Sequence, residues 1–156
     1  MIYSTCAMTY IVIEMQYKKQ RYPNLPFFII FLCIVISLGH IALKNAELFF
    51  AAYGILLAPS ICYSIFSKHD AAVNKAMRTS LGYLIIAFSC WELDRFYCDL
   101  VQPYHLHSFW HILISMSGQY WLNAMAYKRL KLLGISSELK YNGFWVTWKS
   151  QNKKQD

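Results

Sequence analysis

Charge is scarce in this chain of 156 residues: Asp, Glu, Lys and Arg make up 15%, against 57% hydrophobic and 17% aromatic residues. An ordinary soluble domain has about 25% charged residues, so this composition excludes that class and predicts an integral membrane protein. Polar groups are almost missing from Phe27 to Leu38. A soluble all-α protein of this size has too small a core to bury such stretches. Basic residues are missing before Lys18, and Glu14 interrupts the first apolar run, so no removable signal peptide is expected. The five cysteines, Cys6, Cys33, Cys62, Cys90 and Cys98, all fall in apolar stretches. They read as small packing residues and not as a disulfide framework.

What is present is a series of five apolar stretches, each close to the roughly 20 helical residues needed to cross a bilayer. The expected fold is an all-α polytopic bundle of five transmembrane helices over residues 1–127, at about 2–17, 26–43, 47–66, 80–98 and 106–127. Tyr22-Pro23-Asn24, Lys44-Asn45, Lys68-His69-Asp70 and Gln102-Pro103 carry loop signals between them. Residues 128–156 read as a basic polar C-terminal tail with an aromatic cluster at Phe144, Trp145 and Trp148.

Lys and Arg set the expected orientation, because short cytosolic loops collect positive charge. Lys18, Lys19 and Arg21 lie in the first loop, and Lys68, Lys75 and Arg78 in the third. Lys128, Arg129, Lys131, Lys140, Lys149, Lys153 and Lys154 lie in the tail. All three segments fall on one side of a five-helix chain, which is assigned to the cytosol. The net charge of +7 is thereby explained without a nucleic-acid partner. The dispersed tail residues read as a retention signal near anionic lipid.

The opposite leaflet collects the chemistry. His107 and His111 are four residues apart, which on a helix places both imidazoles on one face, within reach of one metal ion. The same topology brings Glu92, Asp94, Arg95, Ser4, Tyr53 and His40 to that leaflet. Ionisable groups inside membrane helices are costly and are functional candidates by default. Each has a plainer reading: His40 and Tyr53 as interfacial side chains, Glu92 and Arg95 as an i,i+3 ion pair, and Asp94 as a cap or ion-pair partner.

The run His107-Ser108-Phe109-Trp110-His111-Ile112-Leu113 resembles the last membrane helix of the alkaline ceramidases. Trp91-Glu92-Leu93-Asp94-Arg95-Phe96-Tyr97-Cys98 is similar to their preceding segment, and Ala52-Tyr53-Gly54 and Met1-Ile2-Tyr3-Ser4 also match, in family order. The resemblance implies a seven-helix intramembrane zinc amidohydrolase that cleaves the ceramide amide into sphingosine and a fatty acid, in membranes of the endoplasmic reticulum or Golgi. It assigns His107 and His111 as zinc ligands, Ser4 and Tyr53 to a polar pocket around the headgroup or reacting carbonyl, and Asp94 to a recurring acid. Zinc as cofactor would bring the pKa of a bound water to about 7 and polarise the amide carbonyl. A nearby carboxylate would move the proton to the leaving amine, and hydroxyl donors such as Tyr53 would steady the oxyanion.

In that family a third zinc histidine, a serine and the catalytic aspartate lie just before the Met-Ile-Tyr-Ser run, where this chain starts. The expectation is a five-helix remnant lacking two N-terminal helices and those three residues, and the short first apolar run agrees. His40, or His105 turned inward by Pro103 and Tyr104, would be the substitute ligand, with Glu92 or Asp94 as further donors. Ser115 and Ser117, where the family often has glycine, still permit close helix approach. Two other readings stay open: a non-catalytic ceramide-binding or regulatory membrane protein, and a receptor-like member of the same wider group.

Overall fold

The computed structural model describes residues 2–14, 22–44, 46–135, 137–142 and 145–150. Lys18, Lys19, Arg21, Phe144, Lys153 and Lys154 lie outside the described residues. The chain forms two compact units, Met1–Ser67 and Lys68–Asp156.

The first unit contains α1 (Ile2–Glu14), α2 (Leu25–Leu43) and α3 (Ala46–Phe66). The Thr9 hydroxyl of α1 donates to the Leu56 carbonyl of α3 at 2.9 Å. An intramolecular acceptor matters here, because a hydroxyl in apolar surroundings is costly without one. Glu14 ends α1 buried, and its Oε1 accepts the Tyr22 N–H at 3.3 Å.

Helix α2 starts where Tyr22-Pro23-Asn24 turns, with Pro26 in its first turn, where a missing N–H costs nothing. It ends at Lys44, whose left-handed backbone (φ 48°) returns its N–H to the His40 carbonyl at 3.0 Å. Cys33 is buried against Ile29, Ile36 and Leu56. The rest of α2 stays outside: Phe27 is 73% exposed, Phe31 63% and Ile41 68%. A helix apolar on its outer side as well as its inner one fits lipid better than water. Among the described residues, α2 is the helix long and apolar enough to cross a membrane, with mean hydropathy 2.5. Ala51–Phe66 of α3 is a shorter apolar stretch, and it contains Pro59, which has no N–H to donate within the helix.

The second unit is built on α4 (Ala71–Phe96) and α6 (Leu106–Leu132), joined through the short α5 (Cys98–Val101) and a 3-10 turn at Gln102–Tyr104. The connection makes α4 and α6 antiparallel neighbours. Val73, Ala76, Met77, Ser80 and Ala87 form the buried stripe of α4, at helical spacing. They meet Trp110, Ser117, Tyr120, Trp121, Ala124 and Met125 of α6. Ser80 and Ser117 face each other at the centre: each hydroxyl donates to the other residue's carbonyl, at 2.9 and 2.8 Å, with the two Oγ atoms 3.1 Å apart. Small residues at this crossing let the backbones approach, and the paired hydroxyls bind the helices.

Helix α4 begins nine residues before its apolar portion. Asp70 caps it, accepting the Val73 N–H at 3.3 Å and pairing with Lys131 Nζ at 2.8 Å. Burial raises the Asp70 carboxyl. The hydrogen bonds from Lys131 and Val73 and the charges of Lys131 and Lys128 outweigh it and hold the group below its ordinary value.

The described part of the basic polar tail carries regular structure. Helix α6 continues to Leu132 and stops at Gly134 (φ 78°). There the N–H groups of Gly134 and Ile135 return to the Lys131 and Leu130 carbonyls at 3.1 and 2.9 Å. A hairpin follows: β1 (Ser137–Asn142) pairs antiparallel with β2 (Trp145–Ser150), Ser137 opposite Ser150 and Asn142 opposite Trp145. Among the described residues, the all-α expectation therefore holds up to Leu132 and gains a small sheet beyond it. Leu139 is buried, the Tyr141 hydroxyl donates to the Ala72 carbonyl, and Lys75 Nζ lies 4.6 Å from the Tyr141 ring centroid.

Candidate functional site

The second unit turns between α4 and α6 in the way that places His107. The Tyr97 N–H closes α4 on the Leu93 carbonyl at 2.9 Å, and the chain passes through α5 and the Pro103 turn to His105. His105 has a left-handed backbone (φ 50°), and its carbonyl accepts the N–H of Ser108 at 2.9 Å and of Phe109 at 3.3 Å. It starts α6 through its backbone, with its side chain exposed.

One residue into α6, His107 comes opposite the end of α4. Asp94 Oδ2 lies 3.3 Å from His107 Nδ1, with side-chain exposures of 25% and 55%. A turn later, the His111 ring stands edge-on to that of His107, centroids 4.9 Å apart at 77°. Trp110 is buried beside both, 5.4 Å from His107 and 4.3 Å from His111. The indole backs the two imidazoles on their protein side. Beyond Asp94, the Arg95 guanidinium lies 5.5 Å from the Trp91 ring centroid and 5.4 Å from that of Phe96, a cation–π arrangement. Glu92 is half-buried on the same helix.

The remaining sequence candidates belong to the first unit. Ser4 lies in the first turn of α1, with its side chain outside the described residues. Tyr53 is half-buried on α3, and His40 is exposed on α2. The structure thus groups Asp94, His107 and His111 within one unit and carries Ser4, Tyr53 and His40 on the other. The burial of Trp110 beside the two imidazoles is visible only once α4 covers α6. The Ser80–Ser117 contact was equally silent, although two small polar residues in apolar stretches are its signal.

A structural zinc takes four protein ligands and a catalytic one three, with one position open. Among the described residues, no group of three or more His, Cys, Asp and Glu side chains is arranged to hold a metal ion. The donor set present fits zinc as a half-site. Two imidazoles share a helix face, and a carboxylate stands behind Nδ1 of one of them, leaving Nε2 outside that contact. Such carboxylate partners are usual for metal-binding histidines, whose orientation and basicity they set.

Residues 1–152 match the model of the Ceramidase family. The chain is also 32% identical over 77 residues to "Alkaline ceramidase 1" of Homo sapiens, a segment that covers 45% of this chain and 29% of the human protein. The chain therefore matches less than a third of that relative's length.

Proposed function

Because the chain belongs to the ceramidase family, we propose that it acts as a membrane-embedded zinc amidohydrolase on ceramide-type lipids, releasing a sphingoid base and a fatty acid. The observation that carries this reading is the placement of Asp94 3.3 Å from His107, one turn from His111, within the family-matched segment. His107 and His111 would hold the zinc ion, which when bound supplies Lewis-acid polarisation of the amide carbonyl.

The chain's own residues have distinct tasks. Asp94 accepts the Nδ1 proton of His107, which fixes the tautomer with the lone pair on Nε2. That is a positioning role. Trp110 keeps the rings in place and water off their inner side. The amide carbon gains the oxygen of water, its bond to nitrogen breaks, and the proton passes to the leaving amine.

The membrane reading has α1, α2, α3, α4 and α6 as five spans of an endoplasmic reticulum or Golgi protein, the basic segments facing the cytosol. The exposed apolar side of α2 and the distribution of Lys and Arg support it.

The test is sphingosine release from ceramide by the purified, zinc-loaded chain in lipid, together with zinc per chain. Release abolished by chelation and by either H107A or H111A is expected. Equal release from the wild type and both variants overturns the assignment. A second reading, ceramide binding without hydrolysis, is favoured by the two-imidazole donor set. Saturable crosslinking of a photoactivatable ceramide without any sphingosine would select it.

A further inference from the structure

At the end of the second unit farthest from His107, four contacts gather basic residues from four segments. Lys131 Nζ pairs with Asp70 at 2.8 Å, and Lys128 Nζ lies 3.0 Å from His69 Nδ1. The Tyr141 hydroxyl donates to the Ala72 carbonyl, and Lys75 Nζ sits over the Tyr141 ring at 4.6 Å. The loop before α4, the first turns of α4, the last turn of α6 and strand β1 are thereby held together. They bring Lys68, Lys75, Arg78, Lys128, Arg129, Lys131 and Lys140 to one end, against Asp70 and Glu138. Lys68, Lys75, Arg78 and Lys140 are exposed, and Lys75 and Arg78 share one face of α4 at i,i+3.

Within one turn of this collar, both helices change character. Helix α4 turns apolar from Leu81 and α6 is largely apolar up to Tyr127, so the cations are at the level where a bilayer's hydrocarbon gives way to headgroups. The folded hairpin is the decisive element, because Tyr141 ties β1 to Ala72 and Lys75 of α4 and so keeps its chain neighbour Lys140 at this end, where a dangling tail would disperse its charge. We propose that this collar is a binding surface for anionic phospholipid headgroups, built by the C-terminal hairpin clasping the α4–α6 pair. Exposed cations gathered at one end of the helix pair complement a layer of phosphates, whereas nucleic acid would require the same surface to stand clear of the membrane. The proposal rests on the membrane-spanning reading of α4 and α6.

The full chain reconstituted in phosphatidylcholine bilayers, with spin-labelled phosphatidylserine or phosphatidylcholine as probe, tests it. Electron spin resonance reads the fraction of each lipid held at the protein surface. Phosphatidylserine is expected to be preferred at low salt, by about fivefold per cation engaged at full strength. The preference should shrink toward one in 1 M salt, where screening extends over about 3 Å. The combined variant K68Q, K75Q, R78Q and K140Q should lose most of it with unchanged helix content. No held component for either lipid overturns the membrane reading itself. A held component without preference, or a preference equal in the variant, overturns only the collar. Poly(U) displacing phosphatidylserine and resisting salt better would assign the surface to nucleic acid and also overturn it.

Discussion

Asp94 and His107 meet across the turn between two antiparallel helices, carboxylate oxygen to ring nitrogen at 3.3 Å. The contact joins the two sequence segments that resemble a known family most closely, and it makes one of them the support of the other. Removing the carboxylate without changing its shape isolates that support. D94N is expected to weaken zinc binding by about 10- to 100-fold, read by competition with a chromophoric chelator, while D94E recovers part of the loss. Unchanged affinity in D94N would show that Asp94 does not act through His107.

Trp110 backs both imidazoles from a buried position. W110A should destabilise the chain by about 3–5 kcal/mol in mixed-micelle unfolding, as expected for emptying a large buried aromatic site. W110F, which keeps a ring against His111, should cost much less. Equal costs would mean that the indole is not packed as described.

Ser80 and Ser117 exchange hydroxyl hydrogen bonds between α4 and α6. Either S80A or S117A is expected to cost about 1 kcal/mol, and the double variant close to the sum, because each hydroxyl donates to a main-chain carbonyl that alanine leaves in place and only the Oγ–Oγ contact couples the two. No loss of stability in either variant would rule out the pairing.

Asp70 predicts an acid limb of stability. Its carboxyl is held below its ordinary value in the folded chain, so the unfolded chain takes up the proton first. The contribution is whole above about pH 4, the ordinary carboxylate range, and is lost as pH falls through the lowered folded value. Thermal unfolding of D70N should follow pH less steeply through that window than the wild type. Parallel curves would dismiss the pair with Lys131.

The apolar elements are legible in the sequence because long runs of apolar side chains without charge favour helices that keep such surface from water. Tyr22-Pro23-Asn24, Lys44 and Asp70 fall at observed helix boundaries for the physical reasons that made them signals. Hydropathy misplaced the start of α4 at Ser80 and the end of α6 at Tyr127, because Ala71–Thr79 and Lys128–Leu132 are helical without being apolar. The hairpin is hidden from hydropathy for a related reason. Its cue is Gly143-Phe144 between two strand-like runs, a signal of a few residues that disappears in a long apolar average. The His107–His111 spacing was readable because it lies within one helix. Its link to Asp94 was not, since it depends on how two helices meet.

The two α4–α6 contacts have a joint consequence. A single point of attachment leaves a helix free to roll about its axis; two points remove that freedom. Ser80–Ser117 lies about 15 Å along α6 from His107–Asp94, at 1.5 Å rise per residue, and both involve the same two helices. Rolling His107 away from Asp94 therefore strains the serine contact. The orientation of the imidazole pair is thermodynamically linked to two hydroxyls that never approach it, so loosening the serines should widen the range of angles the histidines sample.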